Sequence, residues 1–310
     1  MAGSIGRGLV LLVLGAALQA AAAPLPAPDP EIRDCLDHAQ IRSGGAVLHL
    51  SFDAHEYALG GSAVCAWMVR AAAAVSGYFG RFPVPETMVE LKPVGGGGVH
   101  GGSTYGRGPY TEVRLGRAVT EAELEDDWVM THELVHLAVP SVPDESHWLE
   151  EGIATYVEPV ARVQAGQLPV ERIWSDMYRD MPKGLPQSGD RGLDRTPTWG
   201  RTYWGGALFC LLADVAIRER TGNRKGLQDA LRGVLAAGGD IRGDWPVAKV
   251  LAAGDEATGT GVLSALYGEM GDKPGPDSLA ALWGRLGVSQ DGLSASAPLA
   301  AVRAAITAPR

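Results

Sequence analysis

Apolar residues cluster in three short stretches of the first half of the chain, and these stretches predict β-strands. Between the first two, apolar positions recur at helical spacing from Ser62 to Phe82, which predicts a helix that the following prolines end. The three predicted strands are residues 46–52, 88–92 and 111–115.

Helical spacing dominates the second half of the chain. Repeated prolines and glycines in residues 182–201 predict a loop that precedes the first of these helices. The pattern therefore predicts an α+β fold that is mixed in its first half and almost entirely helical in its second. The predicted helices are at about residues 203–220, 226–237, 247–253, 262–270 and 278–286, with a weaker one at 299–306.

One helix between these halves carries the residues His132-Glu133-Leu134-Val135-His136. A capping box of Thr120 and Glu123 predicts where this helix starts. Positions i and i+4 of a helix lie on one face, so His132 and His136 can direct both imidazoles at a single zinc ion. Glu133 lies at the flank of that face, where it can reach a water on the metal without binding the metal itself.

A catalytic zinc needs a third protein ligand and an open position for water. A metzincin peptidase would supply a histidine six residues after His136, but that position holds Val142. A second predicted helix begins near Trp148, and we expect Pro159 to kink or end it. The remaining candidates for the third ligand are Asp144, Glu145, His147, Glu150 and Glu151.

Among these candidates the sequence favours Glu151. Side chains of adjacent helical residues point about 100° apart, so only one of Glu150 and Glu151 can face the metal. Gly152 removes a side chain where two helices would have to pack closely, which places Glu151 at a helix crossing. Thr155 and Glu158 lie on the same predicted helix face as Glu151, and Thr155 is placed to hydrogen-bond a ligand.

Residues 95–108 are rich in glycine and stand between two predicted strands. They do not end in the Gly-Lys-Ser/Thr of a phosphate-binding loop. We expect residues 98–106 to form an exposed sheet edge on which an extended peptide can lie, with a flexible hairpin as the alternative. His100 is expected to be a surface or loop histidine and not a metal ligand.

The first 22 residues have the pattern of a signal peptide, with one basic residue, a short apolar run and small residues before the predicted cleavage point. No later stretch of the sequence reads as a membrane span. The chain has 27 basic and 36 acidic residues, which argues against nucleic acid and anionic membranes as partners. We therefore expect a mature protein that is secreted or periplasmic.

The chain contains three cysteines, and none has the C-x-x-C spacing of a zinc ribbon. In an exported protein, Cys35 and Cys65 are suited to form a disulfide between the N-terminal segment and the first long helix. Cys210 lies in an apolar helical run and is expected to be buried and unpaired.

Three motifs together resemble the gluzincin metallopeptidases, and distantly the aminopeptidase N and glycyl aminopeptidase families. The first is His132-Glu133-Leu134-Val135-His136, the second Trp148-Leu149-Glu150-Glu151-Gly152, and the third Tyr203-Trp204-Gly205-Gly206-Ala207. The resemblance implies that Glu151 is the third zinc ligand and that Tyr203 hydrogen-bonds the oxyanion.

The sequence departs from aminopeptidase N relatives in four respects. The spacing between His136 and Glu151 is shorter than in those relatives, and Gly205 replaces their lysine. The Gly-Ala-Met-Glu-Asn exopeptidase segment is absent, and residues 95–108 contain no carboxylate to hold a substrate α-amine.

These observations predict a zincin-like, thermolysin-like catalytic domain with a small mixed sheet, followed by a helical lobe. The expected function is zinc-dependent hydrolysis of a peptide or protein substrate, with one zinc per chain and Glu133 as the general base. A catalytically silent zincin-fold binding protein and a zinc hydrolase of a non-peptide amide are the alternatives. The expected segments are a signal peptide (1–22), an N-terminal linker segment (23–45), an α/β zincin lobe (46–165) and a helical lobe with Tyr203 (166–310).

Overall fold

The computed structural model describes residues 29–309. The predicted signal peptide and the start of the linker segment lie outside these residues. The described range contains a five-stranded sheet and a separate two-stranded hairpin. The strands are β1 (Gln40–Ser43), β2 (Ala46–Ser51), β3 (Glu86–Val94), β4 (Val99–Tyr105), β5 (Tyr110–Gly116), β6 (Val288–Ser289) and β7 (Gly292–Leu293).

The five-stranded sheet is mixed, with the order β1-β2-β3-β5-β4. Strands β2, β3 and β5 run parallel, whereas β1 and β4 are antiparallel to their neighbours. Within each of these strands, alternate side chains point into the core, because successive side chains of a strand face opposite sides of the sheet. Examples are Leu48 in β2, Val89 in β3 and Val113 in β5, all of which are buried. The prediction of a small mixed sheet from three short apolar stretches is therefore confirmed, although β1 and the β6–β7 hairpin were not predicted.

Twelve α-helices occur within residues 29–309. The helices predicted in the second half are all present, with boundaries that differ by a few residues. They are α1 (Pro30–His38), α2 (Gly61–Phe79), α3 (Glu121–Asp126), α4 (Val129–His136), α5 (Trp148–Gln164), α6 (Val170–Asp180), α7 (Gly206–Thr221), α8 (Leu227–Ala236), α9 (Val247–Thr258), α10 (Val262–Met270), α11 (Ala280–Leu286) and α12 (Ala300–Thr307).

The capping box and the histidine pair lie on two helices, so the prediction of one continuous helix was wrong. The capping box of Thr120 and Glu123 is present and starts α3. Asp127 then adopts an extended backbone, and its carboxylate accepts the backbone N–H groups of Val129 and Met130 at 2.9 and 3.1 Å. Asp127 thus caps a new helix, α4, whose direction is set independently of α3.

Helix α5 continues through Pro159 to Gln164, so the proline does not end it. Most of its residues are buried, including Ile153, Tyr156 and Val160. Packing on several sides therefore outweighs the backbone hydrogen bond that a proline removes from a helix interior. This extension keeps Glu151 and Glu158 on one rigid element.

The sequence interpretation missed α6. Five of the 11 residues in this helix are charged, which weakens its periodic signal. Ile173 and Met177 are buried and lie four positions apart, so they share one face of the helix. The other buried residues are Trp174 and Asp180.

Helix α2 corrects the statement that no stretch beyond the N-terminus could span a membrane. By length and composition alone, it is the one helix within the described range that meets that test. In the structure it is a core helix, and 56% of its most apolar window is buried inside the protein. Residues such as Trp67, Met68 and Tyr78 account for this burial.

A disulfide joins Cys35 in α1 to Cys65 in α2, with a Cα–Cα distance of 5.9 Å. Cys210 is free and buried. Both outcomes agree with the prediction from the cysteine positions. The bridge ties the N-terminal helix to the core helix that packs beside the candidate site.

We expect the double substitution Cys35→Ser, Cys65→Ser to lower the free energy of unfolding by roughly 3 kcal/mol, because the open chain gains conformational entropy. Urea denaturation of the oxidised wild type and the double variant measures this difference. Wild type in reducing buffer is the control and should match the variant. Equal midpoints for all three samples would show that the bridge does not stabilise the fold.

Candidate metal centre

Three potential metal-binding side chains converge where α4 packs against α5. His132 and His136 lie one turn apart on α4, and Glu151 lies in the first turn of α5. The two Nε2 atoms are 3.2 Å apart, and Oε2 of Glu151 is 3.2 Å from Nε2 of His132 and 3.5 Å from Nε2 of His136. The structure therefore brings together the three residues that the sequence selected.

The spacing of these atoms fits a zinc ion. Zinc binds histidine nitrogen and carboxylate oxygen at about 2.0–2.2 Å with tetrahedral angles, which places neighbouring ligand atoms roughly 3.3–3.6 Å apart. The observed separations of 3.2 to 3.5 Å are close to this range. Two imidazole nitrogens and one carboxylate oxygen leave a fourth position for water, as a catalytic zinc site requires.

Burial and mutual contact set the electrostatics of these ligands. Burial lowers the pKa of His132, which favours the neutral imidazole that binds metal. Burial would also lower the pKa of His136, but hydrogen bonding and the charge of Glu151 raise it overall. Burial opposes ionisation of Glu151, but its contacts with His132, His136 and His147 lower its pKa well below the ordinary value, so this group is a carboxylate.

The neighbouring candidates for the third ligand have other roles. Oε1 of Glu150 accepts the backbone N–H of Val142 at 2.7 Å and so holds the loop that follows α4. Asp144 and Glu145 lie on a short 3₁₀-helix and are not members of the donor group found within residues 29–309. Of the two adjacent glutamates, Glu151 is therefore the one that faces the histidines.

A backbone contact between two helices fixes the position of Glu151. A Cβ atom on Gly152 would lie 2.3 Å from the Cα of Gly206 in α7, and one on Gly206 would lie 2.2 Å from the backbone oxygen of Trp148. Any side chain at either position would force α5 and α7 apart. The expectation that Gly152 marks a close helix crossing is confirmed.

Glu133 is not a member of the donor group and contacts the edge of the sheet. Oγ1 of Thr104 in β4 donates to Oε2 of Glu133 at 2.9 Å. A Cβ on Gly102 would lie 2.7 Å from Cγ of Glu133, so only glycine allows this strand to lie so close. Burial raises the pKa of Glu133, which strengthens it as a base near neutral pH. Sequence reasoning missed Thr104, whose role depends on strand register.

The glycine-rich segment forms strand β4 at the edge of the sheet, as predicted, and pairs with β5 as an antiparallel hairpin. The ladder with β5 shifts register between Val99 and Gly102. His100 is exposed, its Nε2 lies 2.7 Å from the backbone oxygen of Gly97, and it is not part of the donor group. Strand β4 therefore presents one side of its backbone toward the cleft that contains Glu133.

Tyr203 lines the same cleft as β4. It belongs to a π-helix, Gly200–Gly205, that leads directly into α7. Its ring stacks near that of His132, with 6.5 Å between the ring centres. Burial, followed by the charges of Glu151 and Glu133, raises the pKa of Tyr203, so its hydroxyl stays protonated as a hydrogen-bond donor.

Arg201 anchors this π-helix to the rest of the protein. Its guanidinium donates to the backbone oxygens of Gly184 at 2.6 Å and Pro274 at 3.0 Å, and Nε lies 2.9 Å from Oδ2 of Asp190. Both charged side chains are almost fully buried. π-Helical turns occur frequently at functional sites, and this one fixes where Tyr203 enters the cleft.

His147 is the remaining charged group beside the donor set. Its Nε2 lies 3.3 Å from Oε1 of Glu151, and its Nδ1 lies 3.4 Å from Oε2 of Glu150. Hydrogen bonds to Glu150 first, and then to Glu151, raise the pKa of His147 to about 10. His147 thus holds the oxygen of Glu151 that faces away from the two histidines. By contrast, Oγ1 of Thr155 has no hydrogen-bond partner within residues 29–309, so the prediction that it supports a ligand was wrong.

Comparison with known proteins gives a structural match without a sequence match. No protein-family model and no curated protein matches the chain. An aminopeptidase N family protein from Idiomarina loihiensis has a TM-score of 0.59 at 15% identity, over 80% of this chain and 48% of its own. An M1 zinc metallopeptidase from Deinococcus radiodurans has a TM-score of 0.48 at 17% identity, over 76% of this chain and 51% of its own.

A mutant of the Deinococcus radiodurans enzyme bound to a Tyr-Ser-Ala substrate has a TM-score of 0.47 at 16% identity, over 76% of this chain and 52% of its own. The chain spans about half the length of these structures. The Idiomarina loihiensis match supports the fold, a small mixed sheet with many helices. In fold, the chain is thus similar to this aminopeptidase N family protein, which agrees with the resemblance of its three motifs.

Proposed function

We propose that this protein is an exported, zinc-dependent peptidase. The observation that carries the proposal is a single cleft of about 450 Å³ that combines a metal-binding set, a base and a hydroxyl donor. A protein that only bound zinc would need neither a buried carboxylate beside the metal set nor a tyrosine facing it. The residues that line this cleft include His132, Glu133, His136, Glu151 and Tyr203.

His132, His136 and Glu151 would hold the zinc, which when bound lowers the pKa of a water and polarises a carbonyl group. Glu133 accepts the proton of the attacking water and transfers it to the nitrogen of the leaving amine. Thr104 holds the carboxylate of Glu133 through one oxygen, which keeps the other oxygen free for the proton. The raised pKa of Glu133 suits both halves of this transfer, because the group must be protonated and deprotonated in each cycle.

Tyr203 donates a hydrogen bond to the carbonyl oxygen as negative charge develops on it. Its raised pKa keeps the proton on the hydroxyl until then. Loss of one such donor commonly reduces the rate by about 10²–10³-fold.

The substrate backbone pairs with the free edge of β4, which lies beside Glu133. An extended peptide can add to such an edge through main-chain hydrogen bonds. Residues 95–108 contain no carboxylate to hold an α-amine, so the proposal does not require a substrate with a free N-terminus.

Export to the periplasm or the exterior is part of the same proposal. The pattern of residues 1–22 and the disulfide between Cys35 and Cys65 support it, because structural disulfides persist in oxidising compartments. The expected partners are peptide or protein substrates, and no role for nucleic acid or membrane is proposed.

Digestion of a diverse peptide mixture tests the proposal. We expect zinc-loaded wild type to generate new peptide termini that mass spectrometry detects, and Glu133→Gln to generate almost none. The same set of products from both proteins, or from neither, would overturn the peptidase proposal.

We expect His147→Ala to weaken zinc binding by about 10–100-fold, since groups that orient a metal ligand commonly contribute that much. Competition with a chromophoric chelator at fixed pH measures the affinity. His55→Ala, in an exposed 3₁₀-helix, is the matched control and should bind zinc like wild type. Equal affinity in both variants would show that the contact with Glu151 does not support the metal site.

A further inference from the structure

We infer that the cleft opens into a side chamber that binds a large, uncharged side chain next to the scissile bond, with aromatic and long aliphatic side chains preferred. The inference rests on the proposed function and names its substrate class. The side chamber is a cavity of about 360 Å³ between α5, α6, the π-helix and the start of α7. Its walls include Trp128, Ile173, Met177, Trp199, Trp204 and Ala207.

The side chamber adjoins the cleft. Trp128, His132 and Tyr203 line both cavities. The rings of Trp128 and His132 meet edge to face at 5.3 Å between centres, and those of Trp199 and Tyr203 lie 5.9 Å apart. A side chain can therefore enter the chamber while the peptide backbone stays beside His132 and Tyr203.

The walls of the chamber are predominantly apolar. Ile173, Met177 and Met181 are buried, and each presents hydrocarbon or sulfur to the cavity. Trp199 and Trp128 lie at its mouth and are 62% and 53% exposed, an unusual state for such large side chains. A cavity of this volume would hold on the order of ten waters, and an apolar side chain that displaces them removes the tryptophans from water as well.

The charged groups around the chamber are already paired with one another. Glu158 accepts from Arg162 at 2.9 Å, Asp176 pairs with Arg179 at 2.8 Å and Asp180 pairs with Lys183 at 2.7 Å. Asp126 is bound in the same way by Arg172. The four acidic groups thus balance four basic ones, although the whole chain is acidic.

A charged substrate side chain would find no free countercharge in this chamber, so it would lose its hydration without compensation. Size and charge together favour aromatic, leucine and methionine side chains.

Peptide binding to zinc-loaded Glu133→Gln tests the inference without turnover. The probes are pentapeptides Ala-Ala-X-Ala-Ala in which X is tryptophan, phenylalanine, leucine, alanine, lysine or glutamate, measured by isothermal titration calorimetry. We expect the three large apolar residues to bind roughly 10–100-fold more tightly than alanine, and lysine and glutamate no better than alanine. Affinities that do not depend on X, or that favour a charged X, would overturn the inference.

A variant that fills the chamber makes the test specific to this cavity. We expect Ala207→Leu to reduce the ratio of phenylalanine to alanine affinity at least about tenfold, because the added atoms occupy the chamber. Ala216→Leu makes the same change on α7 outside the chamber and should keep the wild-type ratio. If Ala207→Leu does not fold, Trp199→Ala at the exposed mouth should lower the ratio as well, and an unchanged ratio there would contradict the inference.

The digestion of the peptide mixture separates failure of this inference from failure of the proposed function. Cuts by wild type that are absent with Glu133→Gln, but without enrichment of large apolar residues beside the cut, would overturn the chamber and leave the peptidase proposal intact. An absence of cuts together with the expected order of affinities would overturn the peptidase proposal and leave the chamber as a binding site.

Discussion

Glu133→Gln is expected to lower kcat for peptide hydrolysis by about 10²–10⁴-fold while the protein still binds one zinc per chain. The amide cannot accept the proton of the attacking water, although it keeps the shape of the carboxylate. Its oxygen can still accept the hydrogen bond from Thr104, which in wild type is 2.9 Å long. The expected loss therefore reports on proton transfer and not on packing of α4 against β4.

The control for this prediction is Glu121→Gln, which makes the same chemical change at an exposed position in α3. Its kcat should equal that of wild type. Steady-state kinetics on one defined peptide, combined with metal analysis of each sample, measures both quantities. A Glu133→Gln protein with full zinc content and wild-type kcat would exclude Glu133 as the general base.

Glu151→Ala is expected to weaken zinc binding by more than about 100-fold, since even groups that only orient a ligand contribute about 10–100-fold. Removal of this carboxylate leaves two histidines, which are too few for a stable catalytic zinc site. Peptide hydrolysis should fall to the background rate at zinc concentrations that saturate wild type. Competition with a chromophoric chelator and the initial rate of cleavage measure the two effects.

Glu150→Ala is the matched control, because it removes the adjacent glutamate from the same helix. This side chain accepts the backbone N–H of Val142 at 2.7 Å, so its loss should cost about 1 kcal/mol of stability. Zinc affinity should stay closer to wild type than in Glu151→Ala by at least about tenfold. The opposite order of affinities would assign the third ligand to Glu150.

Local spacing was enough to predict the central part of this site. His132 and His136 are one helical turn apart, so any helix through them brings their nitrogens together. The direction of Glu151 followed from its neighbour Gly152, which requires a close helix crossing at that point. The glycine-rich stretch before β5 likewise indicated a strand that another backbone can approach, and β4 is the edge of the sheet.

Other parts of the structure depend on contacts between residues distant in sequence, which local spacing does not record. The break between α3 and α4 follows from the capping of Val129 and Met130 by Asp127. The contact of Thr104 with Glu133 requires a particular register of β4 beside α4. The side chamber needs α6, whose charged surface conceals its short apolar face.

Zinc titration of the metal-free protein tests the central claim most directly. Protein stripped with a chelator should not cleave peptide, and the rate should rise in proportion to added zinc and level off at one zinc per chain. The Glu133→Gln variant should bind the same single equivalent and stay inactive. A cleavage rate that is unaffected by stripping, or that rises equally in the variant, would contradict hydrolysis at the site formed by His132, His136 and Glu151.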